Sequence, residues 1–391
     1  MIDKLSPAEC VLCGSCVDAC PTGAIAFQKE YLDFRYPAVD AEKCVSCGLC
    51  ERVCPMLSAK EPEQVPRKAY AAKNPDAEVR KASSSGGVFW ALAKTVLSQG
   101  GYVCGAVFDE SFRVHHLVSN EEADVRRMMG SKYAQSDLTG VYKKVKELLR
   151  AGEQVLFTGC PCQVAALNRF LGKKYDKLIT ADFICHGVPS GTMLSAYLQY
   201  QEKRYKSRVR TLCFRSKKHG WHRSSVRITF ANRAEYCTPI TADAYMNGFL
   251  GGIFLKEGCY SCPFKNFRSG SDLTMADFWG AEVEFPELDD NTGLSAVIAS
   301  TARGDGFLSQ CGIEMKKSNV DQVVKNNRNL VSPTKRNPMR ESFYTYAQIN
   351  GFSRAIKDLL WEKPLRKLRR EGRYRLRCVL YAVLGRGKPL Y

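Results

Sequence analysis

Between residues 68 and 350 the apolar positions recur in two rhythms that take turns along the chain. Spacings of three and four over 88–97, 138–149, 164–171 and 189–205 predict helices. Between and after them, short runs rich in β-branched and aromatic residues at 102–108, 154–158, 178–185, 209–215, 226–230, 273–276 and 295–299 predict strands. Helices alternating with strands are the pattern of an α/β domain. Beyond Pro333 the rhythm weakens, and the first fifty-five residues do not follow it. Residues 60–67, polar with two prolines, read as a linker between the two regions.

Composition narrows the class without naming it. The 391 residues are 45% hydrophobic and 25% charged, which excludes a disordered or collagen-like chain. No apolar run approaches the roughly 18–20 residues that span a bilayer, and the N-terminus has no apolar core of the kind a signal peptide needs. The expectation is a cytoplasmic protein. Of the net charge of +18, half sits in residues 354–391, with twelve Lys/Arg against three Asp/Glu. In this basic C-terminal tail, 351–391, Trp361, Leu365, Leu368, Leu376, Val379 and Leu380 are spaced for a basic amphipathic helix. It reads either as a solvated surface helix or as a docking element for an acidic protein or anionic lipid. Nucleic acid is a weaker reading, because no recognition motif accompanies the charge.

Cysteine changes the picture. Cys10, Cys13, Cys16 and Cys20 read Cys-x2-Cys-x2-Cys-x3-Cys and are followed by Pro21; Cys44, Cys47, Cys50 and Cys54 repeat the pattern before Pro55. Each member is displaced by 34 residues, and Gly14 and Gly48 match as well. The spacing is that of a bacterial ferredoxin with two 4Fe-4S clusters, in which the fourth cysteine of each run crosses to the other cluster. One cluster then takes Cys10, Cys13, Cys16 and Cys54, and the other Cys44, Cys47, Cys50 and Cys20. Paired zinc knuckles fit less well, since zinc favours separated Cys-x2-Cys pairs. The expected architecture is an α+β ferredoxin-like two-cluster module over 1–59, the linker 60–67, and a larger α/β domain over 68–350.

Further cysteines lie beside glycine or proline in Gly159-Cys-Pro-Cys162, Cys185-His-Gly187 and Cys259-Tyr-Ser-Cys262. Two of these motifs follow expected strands, where α/β proteins place ligands. Cys259 and Cys262 alone suit half a zinc site or a dithiol; joined by one cysteine from each of the other loops, they make a four-thiolate site for a third 4Fe-4S cluster. Cys104, Cys213, Cys237, Cys311 and Cys378 read as core or surface thiols.

Ser83-Ser-Ser-Gly-Gly-Val-Phe89, Gly130-Ser-Lys-Tyr133, Gly159-Cys-Pro-Cys-Gln163, Cys185-His-Gly187, Cys259-x2-Cys262 and Ala276-Asp-Phe-Trp-Gly280 occur in this order. Together they resemble the beta subunit of the coenzyme F420 hydrogenase and dehydrogenase family, here behind a fused ferredoxin and over about residues 1 to 310. The resemblance implies a flavoprotein that binds FAD near an iron–sulfur cluster and exchanges hydride with the deazaflavin coenzyme. It carries the cluster motif to Cys162, Cys185, Cys259 and Cys262, and it leaves Cys160 outside the ligand set, because that position is commonly threonine in the family.

The chemistry argues the same way. Hydride carriers deliver two electrons and a 4Fe-4S cluster accepts one, so a flavin is needed between them. Ser84, Ser85, Gly86 and Gly87, opening a helix, offer backbone N–H groups and hydroxyls to a phosphate; the bland equivalent is an N-capped serine–glycine turn. Ser131, Lys132 and Tyr133 supply a cation suited to a diphosphate, and Asp277 borders the flavin or the cluster. The basic loop 217–222 is a candidate contact for a polyanionic coenzyme. The partners expected are a redox coenzyme or small-molecule substrate and an electron-transfer protein. Two other readings compete: a ferredoxin-driven reductase of a small biosynthetic intermediate, and a non-catalytic electron-transfer subunit.

Overall fold

The computed structural model describes residues 2–57, 66–361 and Leu376. Most of the expected linker and most of the basic C-terminal tail, including the greater part of its expected amphipathic helix, therefore lie outside the described residues, while Ala355, Ile356 and Leu360 at the start of the tail are buried. Four parallel strands form the centre of a nine-stranded sheet: Tyr102–Phe108, Val155–Gly159, Leu178–Phe183 and Leu273–Asp277, in that spatial order. Their sequences read as near-continuous apolar runs because helices or loops cover both faces; Val155, Leu156 and Phe157 are fully buried. Beyond Tyr102–Phe108 the sheet adds Val114–Ser119 and Ser136–Asp137. Beyond Leu273–Asp277 it adds Ser295–Ala299, Lys68–Lys73 and Glu314–Ser318, all antiparallel. A separate three-stranded antiparallel sheet joins Val209–Ser216, Ser225–Phe230 and Glu235–Pro239. The fold is thus mixed α/β with a large sheet and an N-terminal ferredoxin-type region.

The expected helices form with shifted ends, and the shifts have local causes. Helix Pro161–Leu171 begins three residues before the apolar spacing suggested. Pro161 occupies the first helical turn, where its fixed φ fits and its missing N–H costs nothing. Cys160 and Gln163 close a capping box around it, with the Cys160 N–H donating to Gln163 Oε1 at 2.7 Å. Helix Gly191–Tyr205 starts behind Ser190, whose hydroxyl accepts from the Met193 N–H. Past Pro333, where the rhythm is weak, helix Met339–Asn350 buries Phe343, Tyr344 and Ala347.

The N-terminal region keeps the symmetry of its sequence. Helices Ser15–Ala19 and Leu49–Arg52 follow Gly14 and Gly48, which take φ of 83° and 69°, left-handed values that a side chain would resist. A hairpin of Ile25–Tyr31 with Phe34–Val39 lies between them. This region shares a core with the large sheet: Val11, Cys13 and Val53 pack with Tyr142, Phe157, Leu167 and Phe264. Asp18 accepts from the Gly140 N–H at 2.6 Å and the Tyr142 N–H at 3.0 Å, so it occupies the N-terminus of helix Val141–Arg150. The Tyr142 hydroxyl donates in return to Cys13 O at 2.8 Å. Half-buried Asp33 receives the hydroxyls of Ser190 and Tyr344, and desolvation holds its carboxyl above the ordinary range. Among the described residues no helix is long and apolar enough to cross a membrane.

Asp18 tests this docking. Asp18→Ala leaves two N–H donors at a helix start without their acceptor and is expected to cost about 1–2 kcal/mol. Thermal unfolding at a midpoint lower by a few degrees, with faster tryptic release of the N-terminal region, is the predicted result; an unchanged digestion rate would show that Asp18 does not hold the two regions together.

Candidate redox site

Strand register does the first part of the gathering. Gly159 lies opposite Asp182, so Cys160, just past one strand, meets Cys185, just past the next. The capped helix start then carries Cys162 in its first turn. The third loop is tied to the second by the Lys256 N–H donating to Val188 O at 2.9 Å and by a bridge between Pro189 and Leu255. Cys259 closes the turn Glu257–Cys259, its N–H donating to Lys256 O at 2.9 Å, and Cys262 follows.

The structure therefore brings Cys162, Cys185, Cys259 and Cys262 to one site and adds Cys160, which sequence reasoning had set aside. The Cys160 thiol hydrogen-bonds with those of Cys162 and Cys185, which pushes its own pKa well up. The same bonds favour thiolate at the partners: Cys162 is lowered and Cys185 falls to about 6. Burial raises Cys259 to about 11 and Cys262 to about 12. Two buried lysines flank the group. Lys265 Nζ donates to Cys185 O at 2.5 Å and Asn329 O at 2.8 Å; Lys256 Nζ donates to Val11 O and, at 2.8 Å, to Gln135 Oε1. Soft sulfur donors with buried ammonium groups beside them suit an iron–sulfur centre, whose thiolates bring negative charge into a dry site.

In the N-terminal region the thiols fall into two groups. Cys10, Cys13, Cys16 and Cys54 influence one another's ionisation, and burial raises all four. Cys20, Cys44, Cys47 and Cys50 line a cavity of about 110 Å³. Cys13, Cys16 and Cys54 are buried, whereas Cys47 is exposed. The first group touches the inner site: a Cβ on Gly258 would stand 3.1 Å from both Ala8 O and Cys10 O, so the Cys259 turn packs on the backbone of the Cys10 loop. Cys10 also feels the charge of Cys162.

A second constellation lies along the same sheet edge, at the end of Leu273–Asp277. Arg215, on strand Val209–Ser216 and 7% exposed, pairs with both oxygens of Asp277 at 3.0 Å. It also bonds the Tyr133 hydroxyl and reaches Ser84 O at 3.5 Å. Ser84 Oγ lies 2.9 Å from both the N–H and the Oγ of Ser131. Ser85 Oγ donates to Leu294 O and the Gly86 N–H to Ser295 Oγ, while Gly87 caps helix Val88–Ser98. Trp221 Nε1 donates to Asp277 at 3.0 Å, and its ring stacks on Trp279 at 5.4 Å.

Seven of the eight residues singled out for the flavin are thus neighbours. Lys132 points elsewhere, to the carbonyls of Arg127 and Met129 at 2.7 and 2.8 Å, and burial pushes its pKa down to about 7. The basic loop is largely used internally. Lys217 donates to the carbonyls of Arg80, Ser85 and Thr292, with its pKa also pushed down to about 7 by burial, and His222 pairs with Asp289 at 2.7 Å. Arg215 is the residue that sequence reasoning missed. An arginine directly after Phe214, at the end of strand Val209–Ser216, was the available signal.

Two models of one family, the beta subunit of coenzyme F420 hydrogenase/dehydrogenase, match the larger part of the chain. The model of its N-terminal part matches residues 69–143, and that of its C-terminal part matches residues 152–325. A 4Fe-4S dicluster domain model matches residues 9–57. No curated protein matches the chain. Among solved structures it is similar to a chain in the xenon-derivatised F420-reducing [NiFe] hydrogenase complex from Methanosarcina barkeri, with 16% identity and a TM-score of 0.47, covering 74% of this chain and 96% of that one.

Lys132 gives the site a pH signature. Its folded pKa of about 7 lies below the ordinary 10.5, so between those values the unfolded chain binds more protons and stability rises with pH. The cost of the buried ammonium is fully present below about pH 7 and gone above about 10.5. Lys132→Met is expected to remove this slope, a difference of order 1 kcal/mol given the side chain's partial contact with water. The same change of unfolding free energy between pH 7 and 9.5 in the unaltered and the Lys132→Met proteins, read from denaturant titrations, would contradict it.

Proposed function

The chain belongs to the coenzyme F420 hydrogenase/dehydrogenase beta-subunit family, and we propose that it is an iron–sulfur flavoprotein oxidoreductase. In this reading it exchanges hydride between FAD and coenzyme F420, or a related hydride carrier, and passes single electrons through 4Fe-4S clusters. Family and dicluster region together make it an oxidoreductase-type subunit that carries electrons on iron–sulfur centres. The observation that supports the finer reading most directly is the packing of the Cys259 turn on the Cys10 loop. It sets a candidate third cluster site, Cys162, Cys185, Cys259 and Cys262, against the first ferredoxin site. The Cys20, Cys44, Cys47 and Cys50 group then forms the outer end, where Cys47 and Val45 are exposed to an electron-transfer partner.

The residues around Ser84 fit an anionic cofactor. Arg215 and Lys217 bring positive charge near Asp277, and the buried Nε of Arg215 has no hydrogen-bond partner among the described residues. An orphaned buried donor is costly, and a diphosphate oxygen would satisfy it. Ser84, Ser131 and the N-terminus of helix Val88–Ser98 would hold the phosphates, and the rings of Tyr133, Trp221 and Trp279 would border the flat part of the ligand. When bound, the flavin would supply the exchange between hydride and single electrons. The protein's own work is positioning: Asp277 fixes the Arg215 guanidinium, and the packed aromatic wall keeps water out.

Anaerobic purification with iron and flavin analysis tests this. About twelve iron atoms and one FAD per chain are expected. Cys262→Ala should reduce the iron to about eight while keeping flavin, and Arg215→Met should lose flavin while keeping iron. About eight iron atoms without flavin in the unaltered protein would leave an electron-transfer subunit. Flavin bleached by reduced ferredoxin, but by neither reduced deazaflavin nor NAD(P)H, would favour the ferredoxin-driven reductase.

A further inference from the structure

Lys256 is only 1% exposed, yet its ammonium has two neutral hydrogen-bond partners, the Val11 carbonyl and the Gln135 side chain. A buried charge needs a counter-charge or a strong hydrogen-bonding cage to be tolerated. The position of its tip explains how it is met. Val11 lies between Cys10 and Cys13 of the first ferredoxin site, while the Lys256 backbone opens the turn that carries Cys259 and accepts its N–H. Two residues further, Gly258 packs against Cys10 O. The side chain therefore spans the seam where the two cysteine sites meet. Burial pulls its pKa down, but the sulfurs of Cys259, Cys162, Cys160 and Cys10, when ionised, outweigh this and hold it above the ordinary value. Those four sulfurs come from both sides of the seam.

We propose that Lys256 is a positioning residue for electron transfer: it straps the Cys10 loop to the inner site, and its charge raises the reduction potentials of the two clusters together. This rests on the reading of the inner thiols as a cluster site. Adding an electron makes a cluster more negative, so a fixed ammonium between two clusters favours the reduced form of each. Were one electron to pass between clusters held at these two sites, no bond would break and no proton would move, and the Lys256 ammonium would interact with that electron on both sides. The strap also matters for distance, because the Lys256 and Gln135 side chains hold consecutive carbonyls of the loop, Val11 and Leu12, the latter at 3.2 Å. Lys265 supplies the contrast. It bonds the Cys185 and Asn329 carbonyls and acts on Cys185 and Cys262 of the inner site.

The test is an EPR-monitored redox titration of the full-length protein with iron counted first, signals being assigned from Cys262→Ala and Cys47→Ala proteins. Lys256→Gln should weaken electron binding at both the inner and the Cys10 cluster by about tenfold, 59 mV for one electron, with the outer cluster unmoved. Lys256→Arg should restore both. Lys265→Gln should move the inner cluster alone, and Gln135→Leu, which loosens the strap without altering charge, should leave both potentials within a few-fold. Iron at about eight per chain in the unaltered protein would sink the underlying cluster reading. About twelve iron atoms with potentials indifferent to Lys256→Gln, or shifted equally by Gln135→Leu, would overturn the role of Lys256 while leaving that reading intact.

Discussion

With Gly159 opposite Asp182, strands Val155–Gly159 and Leu178–Phe183 end level with each other, and the loops that leave them must place Cys160, Cys162 and Cys185 over the same edge of the sheet. The next parallel neighbour, Leu273–Asp277, ends there too and delivers Asp277. A slip of one residue would turn every side chain of a strand to the opposite face. Val155, Leu156 and Phe157 are wholly buried on the two covered faces, so a slip would force both close-packed layers to repack. The thiol site and the Arg215–Asp277 constellation are therefore two parts of one edge, and their nearness follows from the packing of the apolar strands.

Gathering buried thiols creates an electrostatic cost that the fold meets locally. Lys256 and Lys265 stand beside the sulfurs, and the Cys160 thiol stabilises the thiolates of Cys162 and Cys185 by hydrogen bonding. Arg215 and Lys217 are likewise inside, one on a carboxylate and the other on three backbone carbonyls. Part of the +18 surplus is thus interior charge with structural partners. A net charge read as an outward-facing property overstates what is offered to an external polyanion, and the inward-turned loop at Lys217 is the clearest case.

The docking of the N-terminal region has the same economy. Asp18 ends on two N–H groups of a helix start, and Tyr142 from that helix returns a bond to Cys13 O. These contacts are short, polar and reciprocal, and they sit over a shared apolar core of Val11, Val53, Phe157 and Phe264. The two cysteine-bearing regions are therefore held as one body rather than tethered. Direct contact between the Cys259 turn and the Cys10 loop depends on that.

Much of this was legible in the residues alone, for a reason tied to range. The duplicated cysteine runs, the left-handed Gly14 and Gly48, and the central strands and helices rest on spacing within a few residues, where covalent geometry and local burial dominate. The outer strands Lys68–Lys73 and Glu314–Ser318 were not legible, because their basic segments become strands only by pairing with neighbours far along the chain, and Val114–Ser119 was hidden by its two histidines although it pairs with the strand just before it. Helix Pro161–Leu171 began early because a proline and a capping box outweighed the apolar rhythm. The identities of the chemistry-bearing residues were readable for the same local reason, since cysteines beside glycine and proline mark themselves. Which of them meet was decided only by the tertiary structure: Cys160 joining the inner thiols, Arg215 reaching Asp277 from another sheet, and Lys256 crossing to Val11 all depend on contacts between segments tens to hundreds of residues apart, and local spacing carries no record of them.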